Sequence, residues 1–176
     1  TVWVVARWLC TKPAGGLAWP AVTPALLIPV VGNVVPALAG HELGYPLWSA
    51  AQFGVGVVFW PVLLALFAVR LGLEGLWPQR LLPTTFITVA PPAVIGLGLL
   101  QFGAPVPFAF AAWGVALFFL AWSATVVRPM REQAFGIPFW ALSFPLAAFS
   151  VLSWRLAPAG GAGAPRAVAA GARALR

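Results

Sequence analysis

Residues Leu82 to Leu100 read LPTTFITVAPPAVIGLGLL. The stretch holds no charged residue and is about long enough to cross the hydrocarbon core of a bilayer as a helix. It also carries a tandem proline, Pro91-Pro92, near its middle, and Thr84, Thr85 and Thr88 in its first half. A helix that only anchors a protein in lipid has no use for these residues. Proline removes a backbone donor and frees a carbonyl, and lipid cannot satisfy that carbonyl. The stretch is therefore expected to be an inner helix of a bundle that lines a pathway, with the rest of the chain arranged to shield it.

Working outward, the same apolar character continues. Hydrophobic residues make up 62% of the 176-residue chain and charged residues 7%, with a mean hydropathy of +0.97. So few charges cannot cover a water-exposed surface, and the continuous runs differ from the short alternating segments of a membrane β-barrel. The expected fold class is all-α, a polytopic transmembrane helical bundle. Spans are expected at about 25–40, 47–69, 82–102, 108–127 and 135–154, within one membrane domain over residues 1–155. Residues 1–9 read as the last turns of an earlier helix. Residues 156–176 are rich in Gly, Ala and Arg and are expected to form a disordered tail that does not span.

Two alternations run along the chain. Arg7, Lys12, Arg70, Arg80, Arg128 and Arg131 fall in loops on one side if each span crosses once, whereas the opposite loops hold only His41 and Glu42. The positive-inside rule makes the basic side cytoplasmic, in a multi-pass protein of the cell (inner) membrane. Arg155, Arg166, Arg173 and Arg176 break this pattern. They suggest a missing returning helix at the C-terminus, as Thr1 suggests a start within a longer protein. The second alternation is proline. Spans 25–40, 82–100 and 135–154 contain Pro29, Pro36, Pro91, Pro92 and Pro145, together with Asn, Thr or Ser, while 47–69 and 108–127 are straighter and more apolar. Kinked helices packed around an axis leave a gap, the physical ground for expecting a pore.

The polar residues within the kinked spans are the pore-lining candidates: Asn33, Thr84, Thr85, Thr88 and Ser143. Each has a plainer reading beside it. Asn33 suits an interhelical hydrogen bond, and the hydroxyls suit bonds back to carbonyls of the preceding turn. His41-Glu42 reads as a solvated turn or as a proton-linked element. An enzyme is not expected. The chain has no Asp and only three Glu, one His and one Cys, too few to place a nucleophile beside a base or to assemble a metal site. No metal, cofactor or nucleic-acid partner is implied. No cation falls within any expected span, so anions would be held weakly, which favours a channel over a high-affinity carrier.

The strings LIPVVGN (Leu27 to Asn33), GHELGYPLW (Gly40 to Trp48), the threonine run ending at Pro91-Pro92, and FWALSFPLA (Phe139 to Ala147) resemble the tellurite-resistance/C4-dicarboxylate transporter family. Its members include bacterial tellurite-resistance protein A and the plant slow anion channel. The resemblance runs from Thr1 to about Trp154. It implies ten helices in five hairpins around a central pore lined by the odd helices, of which this chain would hold the end of the fourth to the ninth. It further implies a homotrimer of separately conducting protomers, and small inorganic or organic anions as cargo in a lipid bilayer. Channels of the family are plugged by a phenylalanine on the ninth helix, and the matching residue is Phe144, the gate candidate. Phe144 precedes Pro145, so its backbone is expected to be pushed from helical geometry, letting the ring swing. The implied function is anion transport through an uncharged pore. The alternatives are a proton-coupled dicarboxylate, tellurite or sulfite carrier using a group such as Glu42, and a truncated, non-transporting membrane remnant.

Overall fold

The computed structural model describes Trp19, residues 22–40 and residues 42–160. Arg7, Cys10, Lys12, His41, Arg166, Arg173 and Arg176 lie outside the described residues, as do the expected helix end at residues 1–9 and the tail beyond Gly160. Among the described residues the chain is all helix and turn: α1 (Pro24–Leu38), α2 (Pro46–Glu74), α3 (Gln79–Gln101), α4 (Val106–Ala124), the short α5 (Val127–Arg131), and α6, a 3₁₀ turn Ile137–Leu142 that runs into the α-helix Ser143–Gly160. Four of these, α2, α3, α4 and α6, are long and apolar enough to cross a membrane, and α1 is shorter. This is a polytopic helical membrane protein.

α3 is the helix around which the others pack. Of its most apolar window, 89% is buried within the protein, against 11% for α2, 17% for α4 and 11% for α6. The main core joins Val89, Val94 and Leu97 of α3 to Val34 of α1, Ala116 of α4 and Leu152 of α6. Lipid tails are as apolar as these side chains, so close van der Waals packing holds the helices together, and small residues permit it. Gly56 of α2 lies so near α1 that an added Cβ would stand 2.3 Å from Val34 Cγ2, and on α3 the same atom at Gly96 would stand 2.7 Å from Leu152 Cδ2. The hairpin from α3 to α4 turns on Gly103, whose φ of +70 only glycine takes without strain.

The prolines stand at a recurring junction. In α3 an eleven-residue 3₁₀ segment, Gln79–Val89, hands over to the α-helix Ala90–Gln101, and Pro91-Pro92 fall in the first α-turn. Proline is tolerated there because first-turn N–H groups have no intrahelical partner. An α-helix running through this point would leave the Ile87 carbonyl without the Pro91 donor. The 3₁₀ geometry instead lets the Ala90 N–H reach that carbonyl. α1 likewise passes from 3₁₀ at Pro24–Leu26 to α at Leu27, just before Pro29, and returns to 3₁₀ at Val35–Leu38, which holds Pro36. α6 changes at Ser143, just before Pro145. By contrast α2 and α4 are α-helical throughout, and α2 continues through Pro61.

Several boundaries differ from the sequence reading. α2 runs on to Glu74, so Arg70 belongs to a helix and not to a loop, and it is only 3% exposed. Arg80 of α3 and Arg155 of α6 likewise fall inside membrane-length helices, contrary to the expectation of none, but of the three only Arg70 is buried. Its Nη1 donates to the Gly75 carbonyl at the helix end, and its guanidinium lies 5.1 Å from the centre of the Trp77 ring. These contacts account for burial so near the terminus. Arg128 and Arg131 sit on α5, a helical turn where a loop was expected. α6 extends past Trp154 to Gly160, so the first residues assigned to the tail are helical.

Candidate functional site

Hydrogen bonds between loops set the helix directions. Gln133 Nε2 donates to Gln79 Oε1 at 3.1 Å, and Trp77 Nε1 donates to the Val22 carbonyl at 3.0 Å. The starts of α1, α3 and α6 thus share one end, which also carries Arg70, Arg80, Arg128 and Arg131. At the opposite end Gln101 Nε2 donates to Glu42 Oε1 at 3.2 Å. The three helices with 3₁₀-to-α junctions therefore run parallel, each starting from the basic end.

Between them lies a groove of about 490 Å³. α1 contributes Ile28 and Val31, α3 contributes Thr84 and Ile87, and α6 contributes Trp140, Phe144 and Pro145. The wall is apolar, and no charged side chain among the described residues lines it. Phe144 is 46% exposed, so its ring stands on the groove wall and is not packed in the core. It is the second residue of the α-helix Ser143–Gly160. Its backbone is therefore helical in spite of Pro145, and the expected loosening before the proline is not seen. What leaves the ring free is the open space beside it.

The polar candidates divide. Thr84 reaches the groove, but its hydroxyl donates to the Leu81 carbonyl at 2.6 Å. Thr85 and Thr88 are fully buried and donate to the Leu82 and Thr85 carbonyls, each at 2.7 Å. Ser123 of α4 adds a hydrogen bond to the Thr85 carbonyl at 3.2 Å. Asn33 is half-buried, and its Nδ2 donates to the Pro29 carbonyl at 2.7 Å within α1. Ser143 is exposed, does not line the groove, and donates to the Trp140 carbonyl at 2.8 Å. These hydroxyls and the amide thus serve helix carbonyls in a region rich in proline. Of the residues singled out, Thr84, Phe144 and Pro145 meet at the groove.

The sequence reading passed over Trp140. It is 69% exposed and shares the groove with Phe144. Trp140 lies in the 3₁₀ turn Ile137–Leu142 and Phe144 in the α-helix that follows, so α-helical spacing does not pair them; the groove does.

Comparison with known proteins gives a consistent picture. A family model described as "SLAC1: Voltage-dependent anion channel" matches residues 1–174. The S-type anion channel SLAH1 of Arabidopsis thaliana is 30% identical over 130 residues, covering 70% of this chain and 33% of the relative. The sulfite efflux pump SSU1 of Trichophyton rubrum is 26% identical over 182 residues, covering 84% of this chain and 48% of the relative. The S-type anion channel SLAH2 of Arabidopsis thaliana is 27% identical over 126 residues, covering 71% of this chain and 24% of the relative. The chain thus spans between about a quarter and about half the length of these relatives.

Proposed function

This chain belongs to the voltage-dependent anion channel family, and from that premise we propose that it carries part of an anion-conducting path, with the groove between α1, α3 and α6 as one wall and Phe144 as the plug. The observation that carries the reading is the position of Phe144, a bulky, half-exposed ring on an apolar groove wall. An anion passing such a constriction must shed water, and a dry apolar gap offers nothing in exchange. A ring in the gap closes the path, and its removal lets water and ions through.

The cargo in this reading is small anions such as chloride, nitrate or sulfite. They would be bound weakly, because no cation among the described residues lines the groove and the Thr84 proton is already committed to a carbonyl. This supports passive conduction over tight carriage. The basic end is proposed to face the cytoplasm of a cell-membrane protein. Assembly as a homotrimer is proposed from the family resemblance.

Replacement of Phe144 tests the gate. In liposomes reconstituted with the protein, Phe144→Ala is expected to raise anion flux strongly at matched abundance. Phe149→Ala, which removes a ring stacked on Trp113 at 6.0 Å, is expected to lower stability without raising flux, as a packing cavity does. Flux through Phe144→Ala no greater than wild type would return Phe144 to ordinary packing.

A further inference from the structure

A second groove, of about 250 Å³, opens between α2 and α4, away from the first. Leu64, Ala68 and Leu71 form one wall, Phe118 and Trp122 the other, and Thr88 of α3 the floor. The Thr88 hydroxyl is already donated to the Thr85 carbonyl, so the floor offers no free proton. α2 and α4 are the helices with plain α geometry and little burial, so this groove is open on the outer side of the described helices. It lies toward the basic end, since Leu71 is close to the end of α2 and Trp122 close to the end of α4.

At that end of the groove Arg70, Arg80, Arg128 and Arg131 outnumber Glu74 and Glu132, so the balance of charge is positive. After Trp122 the chain turns sharply, with the Thr125 N–H on the Trp122 carbonyl at 3.1 Å and the Val126 N–H on the Ser123 carbonyl at 3.2 Å. It then enters α5, which presents Arg128 and Arg131 to solvent. Behind the aromatic wall, Trp77 packs edge-on against both Phe67 and Trp122. Arg70 lies over Trp77 and keeps a buried Nε with no hydrogen-bond partner. An apolar slot in a membrane face, with guanidinium groups where the headgroups lie, is complementary to one kind of molecule. We propose that this groove seats an acyl chain of an anionic phospholipid from the leaflet at the basic end, with the lipid phosphate held by Arg128. Arg70 adds a fixed positive potential behind the slot. The lipid would wedge α2 and α4 against a different face of α3 from the one that lines the first groove.

The test is native mass spectrometry of the purified protein, titrated with phosphatidylglycerol and, separately, phosphatidylcholine of the same chain length. The wild type is expected to retain one phosphatidylglycerol in preference to phosphatidylcholine. Arg128→Gln, on the surface, should reduce that preference about fivefold, the worth of one arginine near an anionic lipid surface. Arg155→Gln, at the other end of α6, should leave it unchanged. Ala68→Trp, which fills the slot, should abolish the retained lipid for both headgroups while circular dichroism still reports the wild-type helix content. The proposal is overturned if the wild type shows no preference, or if Arg155→Gln matches Arg128→Gln, since ordinary charge attraction would then suffice. It is also overturned if Ala68→Trp changes the number of copies in the assembly and not the lipid count, which would make the slot an interface between copies of this chain.

Discussion

Thr84 and Thr85 are adjacent, of the same type and similarly bonded, yet they stand in different surroundings. Each donates its proton to the carbonyl three residues back. Thr84 borders the groove, whereas Thr85 is sealed between α3 and α4, where Ser123 also meets its carbonyl. A hydroxyl with its proton committed has only lone pairs to offer, and an anion gains nothing from them. Thr84→Val is therefore expected to leave anion flux unchanged in a Phe144→Ala background. Thr85→Val keeps the shape and removes a buried hydrogen bond, and should cost about 1 kcal/mol of stability. Flux assays and thermal unfolding in detergent check the pair. Reduced flux in Thr84→Val would show that the hydroxyl turns toward the ion during passage.

At the scale of the helix, glycines set how close the elements come, and neighbouring glycines on α2 differ sharply. At Gly54 an added Cβ meets nothing within 4 Å, while at Gly56 it meets Val34 Cγ2 at 2.3 Å and the Val30 carbonyl at 3.1 Å. The carbonyl is fixed in α1, so relief requires the two helices to part. Gly56→Ala is expected to cost about 1–3 kcal/mol as overpacking. Gly54→Ala should be neutral or slightly stabilising, since alanine favours the helix. At Gly96 the clashing atom is the end of the Leu152 side chain, which can rotate, so Gly96→Ala should cost less than Gly56→Ala. Melting temperatures of the three variants decide the order, and a Gly56→Ala protein as stable as wild type would mean that α1 and α2 slide freely.

For the whole molecule, the two ends differ in charge and in hydrogen-bonded neighbours, so orientation in the membrane is one choice affecting every loop. Glu42 and Gln101 mark one end, Gln79 and Gln133 the other. With Cys10 replaced by Ser, Glu42→Cys is expected to react with a membrane-impermeant thiol reagent added outside intact cells, and Gln79→Cys to react only after permeabilisation. Labelling of position 79 and not 42 from outside would invert the proposed orientation of every helix together.

Membrane class, the helical fold and the family were legible in the chain because they rest on local properties. An apolar run of bilayer length is helical wherever it lies, since lipid leaves backbone groups no other partner. Pro91-Pro92, Pro29 and Pro145 mark an irregular backbone by their missing donors, whatever surrounds them. The grouping of α1, α3 and α6 around one groove agrees with that mark. Other features depended on how the helices meet. Which threonine faces the groove is set by the eleven-residue 3₁₀ segment of α3, whose three residues per turn shift side-chain directions steadily from the 3.6 of an α-helix. Arg70 reads as a loop cation from the charge around it. Its burial depends on Trp77 folding back over it and on the Gly75 carbonyl at the helix end. Phe144 is one of 13 phenylalanines, and its place on a groove wall required α1 and α3 to stand where they do. Periodicity and composition describe single helices, whereas the facing of a side chain is a property of at least two, so only the tertiary structure decided it.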